Sequence, residues 1–270
     1  MHIDNVYNQV MDIVFSKYHG TGNDFIMIDG MKDLSIREYL TTEHIAALCH
    51  RRFGIGADGL IILSPDTESD FYMVYYNSDG RISSMCGNGS RCTVRFAHNL
   101  SYIGEECTFM AIDGIHHGRV DTGHISVHMS DVHEVKAQGA DHVLDTGSPH
   151  YVTYLDDVDG LDIINSAHKI RYSDQYKTDG INVNFVKRKK DSIQVRTYER
   201  GVEDETYSCG TGVVACAISS SRLESGMKSP VDIETKGGDL KVSFDKEADT
   251  YKNIWLTGPA VKVFDGKITV

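Results

Sequence analysis

Ser84-Met85-Cys86-Gly87-Asn88-Gly89 and Tyr207-Ser208-Cys209-Gly210-Thr211-Gly212 are two versions of one pattern. Each is a polar turn ending in Cys-Gly-x-Gly, and each runs into an apolar stretch with a further cysteine, Cys92 or Cys216. The stretch Gly89–Asn99 has apolar positions at Cys92, Val94, Phe96 and Ala97, and Gly212–Leu223 is apolar almost throughout, so both predict helices. Gly226 is the candidate C-cap of the second. A unit met once in each half predicts an α+β fold built from two similar α/β domains that face each other. Length permits this, since 270 residues at about 150 per domain allow one large domain or two small ones.

Around these units most segments read as short strands. Val14–Tyr18 and Phe25–Asp29 flank the turn Gly20-Thr21-Gly22-Asn23; Leu60–Leu63, Phe71–Tyr76, Thr108–Ile112, Gly118–Asp121 and His124–Met129 follow. Thr41 caps a predicted helix that ends near Phe53. In the second half Asn182–Lys187, Ile193–Thr197, Lys241–Phe244, Ile254–Thr257 and Val261–Phe264 read as strands, and Tyr198–Ser208 as a polar loop.

Composition excludes several classes. Lys+Arg 27 against Asp+Glu 39 gives a net charge of −12, a surface that repels phosphate, so nucleic acid and anionic membranes are not expected partners. Six cysteines are too few for a disulfide-stapled secreted domain, and none forms a C-x-x-C pair, so no metal site is expected. The N-terminal stretch carries Asp4, Asn5, Asn8, Gln9 and Asp12 and lacks a basic start, unlike a signal peptide. The expected location is the cytoplasm, with reduced thiols, and residues 1–11 read as an extension.

Three patterns are set aside. Gly54-Ile55-Gly56-Ala57-Asp58-Gly59 fits G-x-G-x-x-G, but a helical segment precedes it and a strand follows, the reverse of the dinucleotide fingerprint. His124 and His128 lie on an alternating strand with no third ligand nearby. Lys187-Arg188-Lys189-Lys190 reads as a solvated hairpin turn.

The chemistry lies in the two Cys-Gly-x-Gly units. Glycines let backbone approach a ligand, and the unpaired N–H groups of a first helical turn favour an anion such as a carboxylate. The same field is expected to lower the pKa of the adjacent thiol. Two such sites facing one amino acid would hold its carboxylate and place a sulfur on each side of the α-carbon. One thiolate then removes the α-proton and the opposite thiol returns a proton to the other face. The polar, glycine-rich flanks mark Cys86 and Cys209 for this role; Cys49, Cys92, Cys107 and Cys216 read as small buried fillers.

At these residues the chain resembles the diaminopimelate epimerase family. The matching segments are Phe15–Phe25, Gly54–Gly59, Asn77-Ser78-Asp79-Gly80, Met85–Gly89, Gly147-Ser148-Pro149-His150, Gly180–Phe185, and Tyr198-Glu199-Arg200-Gly201 leading to Cys209–Gly212. The resemblance implies epimerisation of LL- to meso-diaminopimelate without cofactor, in lysine and peptidoglycan precursor synthesis, with Cys86 and Cys209 as acid and base. It implies that Gly87, Asn88, Gly210 and Thr211 hold the reacting carboxylate. Asn23, Asn77, Ser148, Asn182, Glu199 and Arg200 would bind the distal end, where the planar Arg200 fork suits a second carboxylate. His150 and Glu199 would tune the thiols. Two domains related by a pseudo-twofold, with the site in the cleft between them, and a homodimer are also implied. The expected division is 1–131, joined by a returning strand 258–270, and 132–257. The family often carries Asn where Ser148 stands, and some members an amide at Gly59. The alternative is racemisation of another amino acid, of the histidine or proline type, on the same fold.

Overall fold

The computed structural model describes residues 11–223 and 226–270. The first half runs β1 (Asp12–Gly20), β2 (Asn23–Asp29), α1 (Ser35–Tyr39), α2 (Thr42–Cys49), β3 (Gly59–Ser64), β4 (Phe71–Asn77), α3 (Gly87–Asn99), β5 (Glu106–Ala111), β6 (Gly114–Asp121) and β7 (His124–Met129). Next come β8 (Val135–Gln138), β9 (Asp141–Asp145), β10 (Pro149–Tyr154), α4 (Ile163–Arg171), β11 (Asn182–Arg188), β12 (Ser192–Glu199) and β13 (Asp204–Thr206). The chain closes with α5 (Gly210–Ser221), β14 (Val231–Thr235), β15 (Gly238–Glu247), β16 (Thr250–Gly258) and β17 (Val261–Thr269).

Strand pairing carries the symmetry. In the order β17-β1-β2-β3-β4-β5-β6-β7 the pairs are antiparallel, antiparallel, parallel, antiparallel, parallel, antiparallel, antiparallel. The order β8-β9-β10-β11-β12-β14-β15-β16 repeats that pattern pair for pair. The last strands of the two rows, β7 and β16, pair antiparallel and join them. This is the pseudo-twofold of an α+β fold. Each second parallel step needs a crossover, and that crossover holds the central helix, α3 in one row and α5 in the other.

Both central helices are buried nearly all round; α5 is apolar to match, whereas α3 also buries Ser90, Arg91 and Thr93. Their surroundings are close-packed: a methyl on Gly118 of β6 would fall 2.6 Å from Val94 of α3. Cys92 and Cys216 are fully buried fillers within them, and Cys49 and Cys107 are buried as well. At an outer face, α1 and α2 lay Ile36, Ile45 and Leu48 in one core with Ile26, Ile28, Leu60 and Ile62, and α4 does the same for β11 and β12 with Ile163 and Ala167.

Several elements differ from the sequence reading. Helix α2 stops at Cys49, not near Phe53: His50 is already extended at ψ 119°, and Phe53 lies exposed. Helix α5 ends with Arg222 as its C-cap, so Gly226 is not its cap. The segment 198–208 is not all loop. Tyr198 is fully buried inside β12, and the polar 204–206 forms β13 against it because Glu205 is held by Arg196 and Lys236. Residues 1–10 of the expected extension lie outside the described residues. Met11 is already tied to Val270 by two backbone hydrogen bonds of 3.0 and 2.9 Å. Gly59 opens β3 directly after Asp58, and His124 and His128 lie on β7, as read. No helix among the described residues is long and apolar enough to cross a membrane.

Candidate active site

Helices α3 and α5 each begin two residues earlier than their apolar patterns, which makes the cysteines N-caps. Cys86 (φ −117°, ψ 120°) and Cys209 (φ −113°, ψ 116°) have nearly the same backbone conformation. The two helix starts meet. A methyl on Gly87 would lie 3.4 Å from Gly210 Cα, and one on Gly210 3.2 Å from Gly87 Cα. The free first-turn N–H groups of both helices therefore converge on one place. Neither cysteine side chain makes a capping hydrogen bond to them.

Partners from both halves lock this junction. Asn88 Nδ2 donates to Ser208 O at 2.9 Å, across the cleft. Asn23 Oδ1 accepts from Cys86 Sγ and from Asn88 Nδ2, each at 3.5 Å, while its Nδ2 donates to Asp58 at 2.7 Å. On the other side Thr211 Oγ1 lies 3.5 Å from Cys209 Sγ and 3.0 Å from His150 Nε2.

The fully buried His150 has its tautomer set by Asn184. Asn184 Nδ2 donates to Tyr151 O (3.0 Å), and its Oδ1 accepts from Thr197 (2.9 Å), so the amide is fixed. The same Nδ2 donates to His150 Nδ1 at 3.1 Å, which leaves Nε2–H to donate to Thr211. Burial, then the nearby Arg200 cation, pulls the imidazole down from 6.5 to about 3. His150 is therefore neutral near pH 7. It reaches Cys209 through a hydrogen-bonded hydroxyl, not by charge.

The expectation that the helix field leaves a low thiol pKa is reversed. Burial pushes both thiols up, and the Glu199 carboxylate pushes both further; backbone N–H groups pull each down, aided by Arg91 at Cys86 and by Thr211 at Cys209. Desolvation outweighs the field. Burial also raises Glu199, whose carboxyl accepts from Thr206 Oγ1 at 2.9 Å and is pulled back down by its Thr206 and Cys209 neighbours.

The distal group assembles around Asn182. Its Oδ1 accepts from Arg200 N at 2.8 Å, and its Nδ2 donates to Ser148 Oγ at 2.9 Å and Pro149 O at 3.0 Å. Ser148 Oγ also accepts from Arg200 Nη2 at 3.4 Å. Gly180 (φ +74°) gives Arg200 its path, since a methyl there would sit 2.7 Å from Arg200 Cδ. Asn77, in contrast, lies exposed at the end of β4, opposite Gly59 in the pairing.

Asp58, Tyr75, Arg91, Asn184 and Thr197 belong to this constellation, but the sequence does not mark them as site residues. Asn184 had a signal: two residues beyond Asn182 on a strand, it shares that residue's face. Gly59 leaves no room for an amide side chain, because a methyl there would meet Tyr76 O at 2.5 Å and the Tyr75 ring at 2.6 Å. Among the described residues no three His, Cys, Asp or Glu side chains are grouped to hold a metal.

The model of the diaminopimelate epimerase family matches residues 15–132 and 142–263. The chain is 50% identical over 254 residues to a diaminopimelate epimerase of Flavobacterium psychrophilum, covering 93% of this chain and 98% of that one. The chain belongs to the diaminopimelate epimerase family. A family member from Chlorobaculum tepidum is 44% identical, with 93% of this chain and 99% of that one covered. The fold reaches further than the family: a Bacillus anthracis phenazine biosynthesis protein of the PhzF family superposes with a TM-score of 0.73 at 12% identity, over 96% of this chain and 100% of that one.

Proposed function

We infer that the protein epimerises LL-2,6-diaminopimelate to the meso form without a cofactor, by cysteine-based proton transfer, as an isomerase of lysine biosynthesis. The observation that carries the reading is the pair of N-capping cysteines at two abutting helix starts, in a chain of this family. In the proposed mechanism the reacting carboxylate lies on the N–H groups of Gly87, Asn88, Gly210 and Thr211. The α-carbon then lies between Cys86 and Cys209. The C–H bond breaks toward one thiolate, and the thiol opposite delivers its proton to the other face. N–H groups aimed at the carboxylate stabilise the charge that spreads into it.

Glu199 is proposed as the base that receives the Cys209 proton, and the neutral His150 as the group that orients the Thr211 hydroxyl toward that sulfur. Asn23 and Asn77 on one side, and Ser148, Asn182, Glu199 and Arg200 on the other, are proposed to hold the distal end. Arg200, exposed and bonded through only part of its fork, suits a second carboxylate.

We further propose a division into 1–131 with 258–270 and 132–257. The pairing of β17 with β1, away from its neighbours in sequence, supports it. A homodimer is proposed on the exposed Val261, Val263 and Phe264 of the edge strand β17. A cytoplasmic location is proposed because the paired thiols work only when reduced. The test is a stereochemical assay in deuterium oxide across LL-diaminopimelate, histidine, proline and glutamate. Deuterium exchange with inversion confined to diaminopimelate fits the inference; turnover of histidine or proline alone would replace it.

A further inference from the structure

Arg91 is the largest fully buried side chain of the protein's described residues, and it has no acidic partner among them. It lies one turn into α3, just past the helix start that Cys86 caps. Its Nη2 donates to Asn88 Oδ1 (2.9 Å) and Thr21 Oγ1 (3.2 Å), its Nη1 donates to Gly87 O (3.2 Å), and its Nε has no hydrogen-bond partner among the described residues. The backbone closes on it: a methyl on Gly20 or Gly258 would come within 3.3 Å of the guanidinium. The titratable groups acting on it are the thiols Cys86 and Cys92.

A buried cation without a carboxylate is costly, and an apolar side chain of similar volume is often neutral or stabilising in its place. Its position at a helix start adds to the cost, because cations are disfavoured there. Each of its three acceptor atoms keeps a partner without it: Gly87 O lies in the helix ladder, and Thr21 Oγ1 donates to Asn88 Oδ1 at 3.4 Å. Folding thus gives no reason for a charge here, but an anion above the helix start does.

We propose that Arg91 is a positioning residue for the epimerisation: it fixes positive charge under the carboxylate cradle and holds Asn88 by its Oδ1, with the bound carboxylate and the Cys86 thiolate as its counter-ions. This rests on the two-cysteine reading above. The charge lowers the thiol pKa of Cys86, which also faces Glu199, Tyr75, Cys92 and Cys209. Removing it raises that pKa.

The test compares Arg91→Met and Arg91→Lys. In a Cys209→Ala background, iodoacetamide labelling of Cys86, read by mass spectrometry against pH, gives the thiol midpoint without turnover. The midpoint is expected to rise by about half a pH unit in Arg91→Met and to return toward the wild-type value in Arg91→Lys. With Cys209 intact, kcat/KM is expected to fall roughly a hundredfold in Arg91→Met and to be largely restored in Arg91→Lys. Thermal unfolding of Arg91→Met is expected at or above the wild-type temperature. An Arg91→Met chain that does not fold or melts well below wild type, or one whose Cys86 midpoint is unmoved, overturns the proposal. Failure of the two-cysteine reading is seen separately, as turnover by Cys86→Ala.

Discussion

Gly87 and Gly210 abut at the centre of the molecule, so close that a methyl on Gly210 would stand 3.2 Å from Gly87 Cα and 3.5 Å from Gly87 N. The obstacle is backbone, which cannot rotate away. Gly210→Ala must therefore push the two helix starts apart by a few tenths of an ångström. Chemistry that needs two sulfurs aligned on one carbon is sensitive to such a shift. The expected outcome is a fall in kcat of roughly tenfold to a hundredfold with little change in unfolding temperature, read by steady-state kinetics beside calorimetry.

Arg200 offers a partly free fork next to Ser148 and Asn182. Arg200→Ala is expected to lower kcat/KM for diaminopimelate by about a hundredfold or more, because a charged, bidentate contact is lost. Arg200→Lys is expected to recover only part of it. The rate of Cys86 alkylation is expected to stay unchanged. Wild-type KM in Arg200→Ala would make Arg200 a structural residue.

His150 provides a pH signature with a definite sign. Its ordinary value is 6.5 and its folded value about 3, so below 6.5 the unfolded chain takes up the proton first. The stabilisation from keeping it neutral is complete above pH 6.5 and is lost as pH falls from 6.5 toward 3. Urea midpoints measured at pH 7 and pH 4.5 are expected to differ less in His150→Gln than in the wild type. Its imidazole resonances are expected to be flat between pH 5 and pH 8.

Asn184 is expected to act through His150. Asn184→Leu removes the donor to Nδ1, freeing the ring to take its other tautomer and to turn an acceptor toward Thr211. The Thr211 hydroxyl then points at His150 and away from Cys209. The expected result is a lower kcat with KM nearly unchanged, and alkylation of Cys209 slower than in the wild type.

The parts legible in the sequence were those set by local pattern. The repeated Cys-Gly-x-Gly placed both central helices to within two residues of their starts, and the turn glycines and alternating strands located β1 to β7. Two things escaped. The segments Val135–Gln138, Asp141–Asp145, Pro149–Tyr154, Ile163–Arg171 and Val231–Thr235 are short and mix polar with apolar residues, so each offers too few repeats of its period to stand out. The residues Asp58, Arg91, Asn184 and Thr197 also escaped, because each has a partner far off in sequence, from 13 to 70 positions away. The thiol pKa values depart from the sequence expectation for a related reason. The helix field is readable from Cys-Gly-x-Gly, but the burial that outweighs it is a property of the closed junction.

The central claim is that two cysteines, one from each half, act on opposite faces of one α-carbon. It is tested most directly with purified Cys86→Ala and Cys209→Ala, each given LL- and meso-diaminopimelate in deuterium oxide. The two-base account predicts that each variant loses epimerisation by at least about a thousandfold, while circular dichroism and unfolding temperature stay near wild type. Epimerisation by either folded variant at a rate near that of the wild type would contradict it.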